Sequence, residues 1–151
     1  GAANVIAADS TTVNLFKTLS AALTLRPQRT KIITETRNFP TDNYIAEGVI
    51  RQTGGRHRLV HAEQAAAIAD LLDDDAAVLM LTHVNYRDGS VHDMAGLTKA
   101  AHDAGALVIW DLAHSAGVMP PGHAPVTHPT FHNRASKASR PATSVLCPPS
   151  R

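Results

Sequence analysis

The residues best suited to chemistry follow the segments that predict buried strands. Residues 110–117 read WDLAHSAG, so the carboxylate of Asp111 comes at the end of an apolar run and the imidazole of His114 three residues later. A buried carboxylate is costly unless a cation or several hydrogen-bond donors meet it. A protonated heterocyclic nitrogen of a bound ligand would supply that cation, whereas an arginine or backbone N–H groups would serve a purely structural carboxylate. The segment alone leaves both interpretations open.

A second group of polar residues, Ser10, Thr11 and Thr12, follows the first apolar run at residues 5–8. Hydroxyls and backbone N–H groups at a helix N-terminus bind anions, which suits a phosphate. Simple capping of the helix explains the same residues and is favoured when this segment is taken alone. The sequence contains no glycine-rich loop of the dinucleotide or Walker type, which disfavours NAD and ATP as ligands.

Two further loops carry candidate ligand-binding residues. Residues 38–42 read NFPTD, where Pro40 stiffens the loop and Phe39 could face a ligand. Alternatively, Phe39 covers the core and Asp42 caps the following helix. Thr82 opens the segment THVNY after another apolar run. The chain has nine histidines, but none lies in a known metal-binding spacing, so no metal site is predicted.

The elements that must position these residues alternate between strand and helix. Continuous apolar runs predict buried strands at 77–82 and 106–111, and shorter runs predict strands near 4–8, 31–36 and 58–60. Helical spacing and caps predict helices that start near residues 11, 41, 62 and 93 and end before Pro27, near Gln52, at Leu72 and at Asp103. This alternation predicts an α/β fold with three layers and a mostly parallel sheet. Ligands of such sheets bind beyond the carboxyl ends of the strands.

The composition changes near residue 119. All thirteen acidic residues of the 151-residue chain lie at or before Asp111, and seven of the nine prolines lie at or after Pro120. The first part is long enough to build a core of its own. We therefore expect a folded domain at residues 1–119 and an irregular or disordered tail at residues 120–151.

Composition also limits the partners. The formal net charge of +1 gives no electrostatic reason to expect a nucleic acid. No apolar run approaches the roughly 20 residues of a membrane helix, so no membrane partner is expected. The single cysteine, Cys147, cannot form an internal disulfide. Because the start of the chain also lacks the basic residues of a signal peptide, a cytoplasmic location is expected.

Taken together, the polar segments resemble the kynureninases, which are pyridoxal-phosphate enzymes of the aspartate aminotransferase fold, also called fold type I. The matching pieces are residues 10–17 (STTVNLFK), 38–42 (NFPTD), 81–87 (LTHVNYR) and 110–117 (WDLAHSAG). The spacing of Asp111 and His114 is shared with cysteine desulfurases and other class-V relatives. The first two pieces are more specific to kynureninases.

The resemblance implies part of the large domain of such an enzyme, with a site for pyridoxal 5′-phosphate. Asp111 would pair with the pyridinium nitrogen, which keeps the ring an electron sink. Phe39 would stack on that ring, and the first turn of the helix at Thr11 would bind the phosphate. The implied cofactor-binding residues are Thr11, Thr12, Phe39, Pro40, Thr41, Asp42, Thr82, Asp111 and His114. The implied reaction, a step of tryptophan degradation by the kynurenine pathway, hydrolyses L-kynurenine to anthranilate and L-alanine in a cytoplasmic homodimer.

The resemblance ends near residue 119. The family continues into a Tyr-Lys-Tyr segment whose lysine carries the cofactor as a Schiff base, and no such segment follows here. Lys137 lies 26 residues after Asp111, but its neighbours do not match. We therefore expect a fragment of a kynureninase that is inactive by itself. The alternatives are a fragment of a cysteine desulfurase-like class-V enzyme and a non-catalytic remnant.

Overall fold

Four parallel strands make up most of a six-stranded sheet. The computed structural model describes residues 8–118 and the strands at 130–132 and 143–147. The strands are β1 (Lys31–Glu35), β2 (Arg58–Ala62), β3 (Ala76–Thr82), β4 (Leu107–Asp111), β5 (Thr130–His132) and β6 (Thr143–Cys147). Their order is β2-β1-β3-β4-β6-β5, with β6 antiparallel to β4 and β5 antiparallel to β6. The carboxyl ends of β1, β3 and β4 therefore lie side by side along one border of the sheet, here called its carboxyl edge.

Three helices, α1 (Thr11–Thr24), α2 (Pro40–Gln52) and α3 (Met94–Asp103), flank the sheet. Ser10 caps α1 by accepting from the N–H of Val13, and Asp93 caps α3 by accepting from the N–H of Gly96. The start of α2 differs from the interpretation in which Asp42 caps the helix, because Phe39 is its N-cap residue. Pro40 occupies its first position, where the missing N–H costs no hydrogen bond. Within residues 8–118, no helix combines the length and apolar composition that crossing a bilayer requires.

Alternating side chains of the strands build two cores, one on each face of the sheet. One face packs against α1 and α2 through residues that include Ile32, Val78, Met80 and Ile109. The other face packs against α3 and the segment before β3 through residues that include Ile33, Leu79, Leu81 and Trp110. The predicted three-layer α/β arrangement with a mostly parallel sheet is confirmed. We call these the α1/α2 face and the α3 face.

The alanine-rich helix predicted at residues 62–72 is wrong. β2 extends to Ala62, and only two 3₁₀ turns follow, at Ala65–Ala67 and Ala69–Leu71. Ile68, between the turns, is fully buried, but neither turn contains a buried residue of its own, so no apolar stripe supports a longer helix. Lys31 also fixes the end of this segment by donating from Nζ to the Leu71 carbonyl at 3.1 Å. Tertiary contacts thus override the helix propensity of alanine.

The structure describes only part of the C-terminal tail and none of residues 1–7. Residues 130–132 and 143–147 form strands, so the expectation of an irregular tail is wrong for these eight residues. Their β-branched and aromatic residues suit strands, and the free edge of β4 offers unpaired backbone groups. The rest of the tail and residues 1–7, where a further strand was predicted, lie outside the described residues. The boundary at residue 119 stays a prediction.

Candidate functional site

Asp111 is the last residue of β4, and its carboxylate is buried at the shared sheet edge. Among the described residues, it accepts one hydrogen bond, from the N–H of Ala113 at 2.8 Å. Burial raises the pKa of Asp111 to about 6, although the Ala113 N–H and the nearby His114 lower it in part. Burial with a single hydrogen-bond donor is a costly state for a carboxylate, and a bound cation would relieve it.

Asp42 brings a second carboxyl group to the same place from the first turn of α2. The side chain is 2% exposed, and burial, followed by the charge of Asp111, raises the pKa of Asp42 to about 8. The Thr82 hydroxyl lies 3.4 Å from Asp42 Oδ2 and offsets a part of this shift. The two carboxyl groups thus differ at neutral pH: a pKa of about 8 favours the protonated form of Asp42, and a pKa of about 6 favours the ionised form of Asp111. A pair split in this way presents one negative charge rather than two.

Asn38 ties the loop after β1 to the end of β3, and no role for it was predicted. Its Oδ1 accepts from the backbone N–H of Phe39 at 2.9 Å and of Thr82 at 3.1 Å, and also from the Thr82 hydroxyl. Its Nδ2 donates to the Thr34 hydroxyl at 3.0 Å, which in turn donates to Asn43 Oδ1 at 3.0 Å. All of these hydrogen bonds are buried or part-buried. The only signal in the sequence is the position of Asn38 within NFPTD.

Phe39 and His114 complete a wall beside the carboxyl pair. Their ring centroids are 6.2 Å apart, and the Tyr86 ring meets Phe39 edge-on at 5.0 Å. The buried Nδ1 of His114 has no hydrogen-bond partner among the described residues. Such an orphaned nitrogen is rare in folded proteins and calls for a missing partner. One anionic carboxylate, one unpaired nitrogen and an aromatic face together suit a planar cationic heterocycle with polar substituents.

The predicted phosphate-binding residues lie on α1 and not on the strand ends and loops that form this cluster. Thr11 and Thr12 form the first turn of α1, which contains no acidic residue. The other end of α1 lies at the amino edge of the sheet, because Arg26 Nε donates to the Gly105 carbonyl just before β4. A helix of this length spans about 20 Å, so its N-terminus lies toward the carboxyl edge. No hydrogen bond or ring contact among the described residues joins Thr11 or Thr12 to Asp111, and their role stays a prediction.

Pro40 and Thr41 open α2 between Phe39 and Asp42, and both are half-buried. Thr82 is buried, and its hydroxyl joins Asn38 to Asp42. Asp111 lies close enough to this group for its charge to raise the pKa of Asp42, and the His114 ring contacts the Phe39 ring. The structure therefore brings together all of the predicted cofactor-binding residues except the two threonines of α1, namely Phe39, Pro40, Thr41, Asp42, Thr82, Asp111 and His114.

The lysines of residues 8–118 all have acidic partners elsewhere. Lys17 lies 3.9 Å from Asp9, Lys99 pairs with Asp103 one turn along α3, and Lys31 pairs with Asp73. None of these pairs includes Asp42 or Asp111. Lys137 lies outside the described residues. No described lysine is thus placed to form a covalent link to a ligand at this site.

Sequence comparison finds a matching family and several similar proteins. The aminotransferase class-V family matches residues 5–124. The chain is 53% identical over 122 residues to the kynureninase of Pseudomonas fluorescens, a match that covers 77% of this chain and 29% of that protein. It is 48% identical over 116 residues to the kynureninase of Burkholderia mallei (strain SAVP1), with 74% and 28% covered. The chain therefore spans less than a third of the length of these relatives.

Solved structures show the same fold at low sequence identity. DndA from Streptomyces lividans superposes with a TM-score of 0.69 at 19% identity, over 93% of this chain and 41% of that one. The apo cysteine desulfurase from Thermococcus onnurineus NA1 gives a TM-score of 0.70 at 20% identity, over 93% and 37%. At these identities, the comparisons establish the fold alone.

Proposed function

The chain belongs to the class-V aminotransferase family, and we propose that it is the part of a kynureninase that binds the ring of pyridoxal 5′-phosphate. The observation that carries this proposal is the pair of buried carboxyl groups, Asp42 and Asp111, beside the orphaned Nδ1 of His114. Both the class-V family and the kynureninases depend on this cofactor. The cofactor supplies an electron sink for the carbon skeleton of an amino-acid substrate.

Each residue of the cluster has a role that follows from its surroundings. The charge of Asp111 would bind the protonated ring nitrogen, because among the described residues no lysine or arginine acts on it and only the imidazole of His114 lies near. Phe39 would cover one face of the ring, and its position is fixed by the hydrogen bonds of Asn38. The protonated Asp42 and Thr82 would line the same wall without adding charge. Thr11 and Thr12 would hold the phosphate at the N-terminus of α1.

We further propose that the whole protein hydrolyses L-kynurenine to anthranilate and L-alanine as a cytoplasmic homodimer. The identities of 48–53% to kynureninases support this substrate. The likeness to the cysteine desulfurase from Thermococcus onnurineus NA1, at 20% identity, concerns the fold. We expect the chain alone to be inactive, because its described lysines pair with distant acids and no family-like lysine segment follows residue 119.

A chimera tests the substrate. The 122 matching residues of the Pseudomonas fluorescens kynureninase are replaced by those of this chain, and anthranilate release from L-kynurenine is followed by its fluorescence. We expect hydrolysis by the chimera. A chimera that folds and binds the cofactor but instead releases sulfide from L-cysteine, or acts on neither compound, would refute the proposal.

Asp111→Asn in the same chimera tests the ring-nitrogen contact. Asparagine carries no charge, so the bound ring loses its counter-ion, and kcat should fall by at least tenfold while the KM for L-kynurenine changes less. Asp74→Asn, at an exposed carboxylate, is the matched control and should leave both constants unchanged. Equal effects of the two substitutions would contradict the role of Asp111.

A further inference from the structure

A second buried polar cluster lies on the α3 face, behind the proposed cofactor site. Glu35 ends β1, and its Oε2 lies 2.9 Å from Nε2 of His92. Both side chains are about nine-tenths buried. The rings of His83 and His92 contact Trp110, with centroids 6.1 and 6.3 Å away. No step of the proposed reaction uses this cluster.

His92 belongs to the β3–α3 loop, residues 83–93, whose backbone forms a small hairpin. The N–H of His83 donates to the Asp111 carbonyl at 2.9 Å, and the N–H of His92 donates to the His83 carbonyl at 3.1 Å. Val84 and Val91 form a bridge, and the N–H of Asn85 donates to the carbonyl of residue 90 at 2.9 Å. The loop is therefore anchored at its base to the residue that would bind the ring nitrogen.

The turn of the same hairpin carries Tyr86 to the proposed cofactor site. Its ring meets Phe39 edge-on at 5.0 Å, a geometry that aromatic pairs favour. Arg87 donates from Nε to the Tyr86 hydroxyl at 2.9 Å and so fixes the tyrosine on its outer side. Phe39 in turn faces His114. A continuous path of contacts thus runs from the Glu35–His92 pair through the loop to the aromatic wall.

We propose that Glu35 and His92 are positioning residues for the cofactor site: their buried pair fixes the β3–α3 loop so that Tyr86 supports Phe39. The inference rests on the proposed function of the Asp111 site. Two other contacts join the loop to the chain after β1. The Arg37–Asp88 pair is exposed, and such pairs contribute little. Asn85 Nδ2 donates to the Arg37 carbonyl at 3.3 Å, a part-buried hydrogen bond with no charged partner. Removing one partner of a buried hydrogen-bonded pair leaves the other without compensation and is strongly disruptive.

The first test is a double-mutant cycle on cofactor binding, with pyridoxal 5′-phosphate titrated into the whole chain and followed by absorbance. His92→Gln and Tyr86→Ala should each weaken binding by about fivefold or more. The double variant should bind like Tyr86→Ala alone, because His92 acts through Tyr86. His61→Gln is the matched control at an exposed histidine and should bind like the unaltered chain. Additive effects, or unchanged binding by His92→Gln, would overturn the inference.

The second test needs no cofactor and separates this inference from the proposed function. Proton NMR of the chain measures the nuclear Overhauser effects between the Tyr86 and Phe39 rings. They should disappear in His92→Gln and in Glu35→Gln, whereas emission from Trp110, the only tryptophan of the chain, should report a folded protein. If both variants are folded and still show nuclear Overhauser effects between the Tyr86 and Phe39 rings, the inference is overturned. If the unaltered chain does not bind the cofactor, but the ring–ring effects still disappear in the variants, the proposed site is refuted and the positioning role is supported.

Discussion

Replacing Asp42 by asparagine should stabilise the chain at neutral pH. The pKa of Asp42 is raised from 3.8 to about 8 in the folded protein, mainly by burial and then by the charge of Asp111. The folded state therefore binds this proton more tightly than the unfolded state does. Its contribution to stability is fully present below the unfolded pKa and is lost as pH rises through the folded pKa. Asparagine has no proton to lose, so the variant escapes this loss.

The size of this stability difference follows from how far pH 7 lies above the unfolded pKa of Asp42. Each pH unit between the unfolded pKa of 3.8 and pH 7 is worth about 1.4 kcal/mol, so at pH 7 the free energy of unfolding is about 4 kcal/mol lower than it is when the carboxyl group is protonated in both states. Native proteins of this size are stable by about 5–15 kcal/mol, which makes the difference easy to measure. The pKa of Asp111 is also raised, and its effect on the free energy of unfolding is the same in the unaltered chain and in Asp42→Asn, because burial is the main cause of that shift and does not change. The difference between variant and unaltered chain thus isolates Asp42.

Urea denaturation followed by Trp110 emission measures the effect between about pH 4 and about pH 9. The unaltered chain should lose stability across this range, and Asp42→Asn should lose markedly less, so that the two curves converge near the unfolded pKa of 3.8. Asp74→Asn, at an exposed carboxylate, should follow the unaltered chain. If Asp42→Asn shows the same pH dependence as the unaltered chain, Asp42 is not the group that holds a proton at neutral pH.

Two other predictions concern the backbone near β4 and the missing lysine. Gly105→Ala should lower the free energy of unfolding by about 1–3 kcal/mol in urea denaturation, because φ is +77° and a Cβ would lie 2.6 Å from Arg29 Nη2. Gly48→Ala, with nothing within 4 Å of its Cβ, is the control and should not destabilise the chain; similar destabilisation by both would contradict the argument. Borohydride reduction after incubation with pyridoxal 5′-phosphate, followed by mass mapping, should find no specifically labelled lysine. A single label at Lys137 would instead identify a lysine that serves the site.

Local patterns were enough to predict the strands that carry the site. The continuous apolar runs before Thr82 and Asp111 predicted β3 and β4 to within a residue. Both faces of these strands are buried, so their sequences are apolar throughout and do not alternate between apolar and polar residues. Asp93 and Gly105 likewise marked the two ends of α3, since capping is decided by neighbours in sequence. The helix predicted at residues 62–72 is wrong because tertiary contacts decide this segment. Lys31 binds the Leu71 carbonyl and Ile68 is buried in the core, and these interactions outweigh the local helix propensity.

The pairing of distant polar groups could not be predicted from one sequence. Glu35 and His92 are 57 residues apart, and Asn38 reaches Thr82 across 44 residues. These contacts depend on the parallel register of β1, β3 and β4, and a continuous apolar run does not indicate which of its side chains face which helix. The raised pKa of Asp42 was missed for the same reason, because it requires both burial and the proximity of Asp111.

The register also explains why neighbouring residues at the sheet edge have unrelated roles. Thr82 pairs with Asp111 across β3 and β4, and Leu81 pairs with Trp110. Because side chains alternate between faces, Asp111 lies on the α1/α2 face with Asp42, whereas Trp110 lies on the α3 face with His92. One strand end thus serves the charge of the proposed cofactor site and the pair that positions its wall. A one-residue slip of β4 would exchange these side chains and bury Asp111 in the apolar core of the α3 face. The apolar packing of Ile109 and Trp110 on opposite faces therefore protects the chemistry of the site as well as the stability of the sheet.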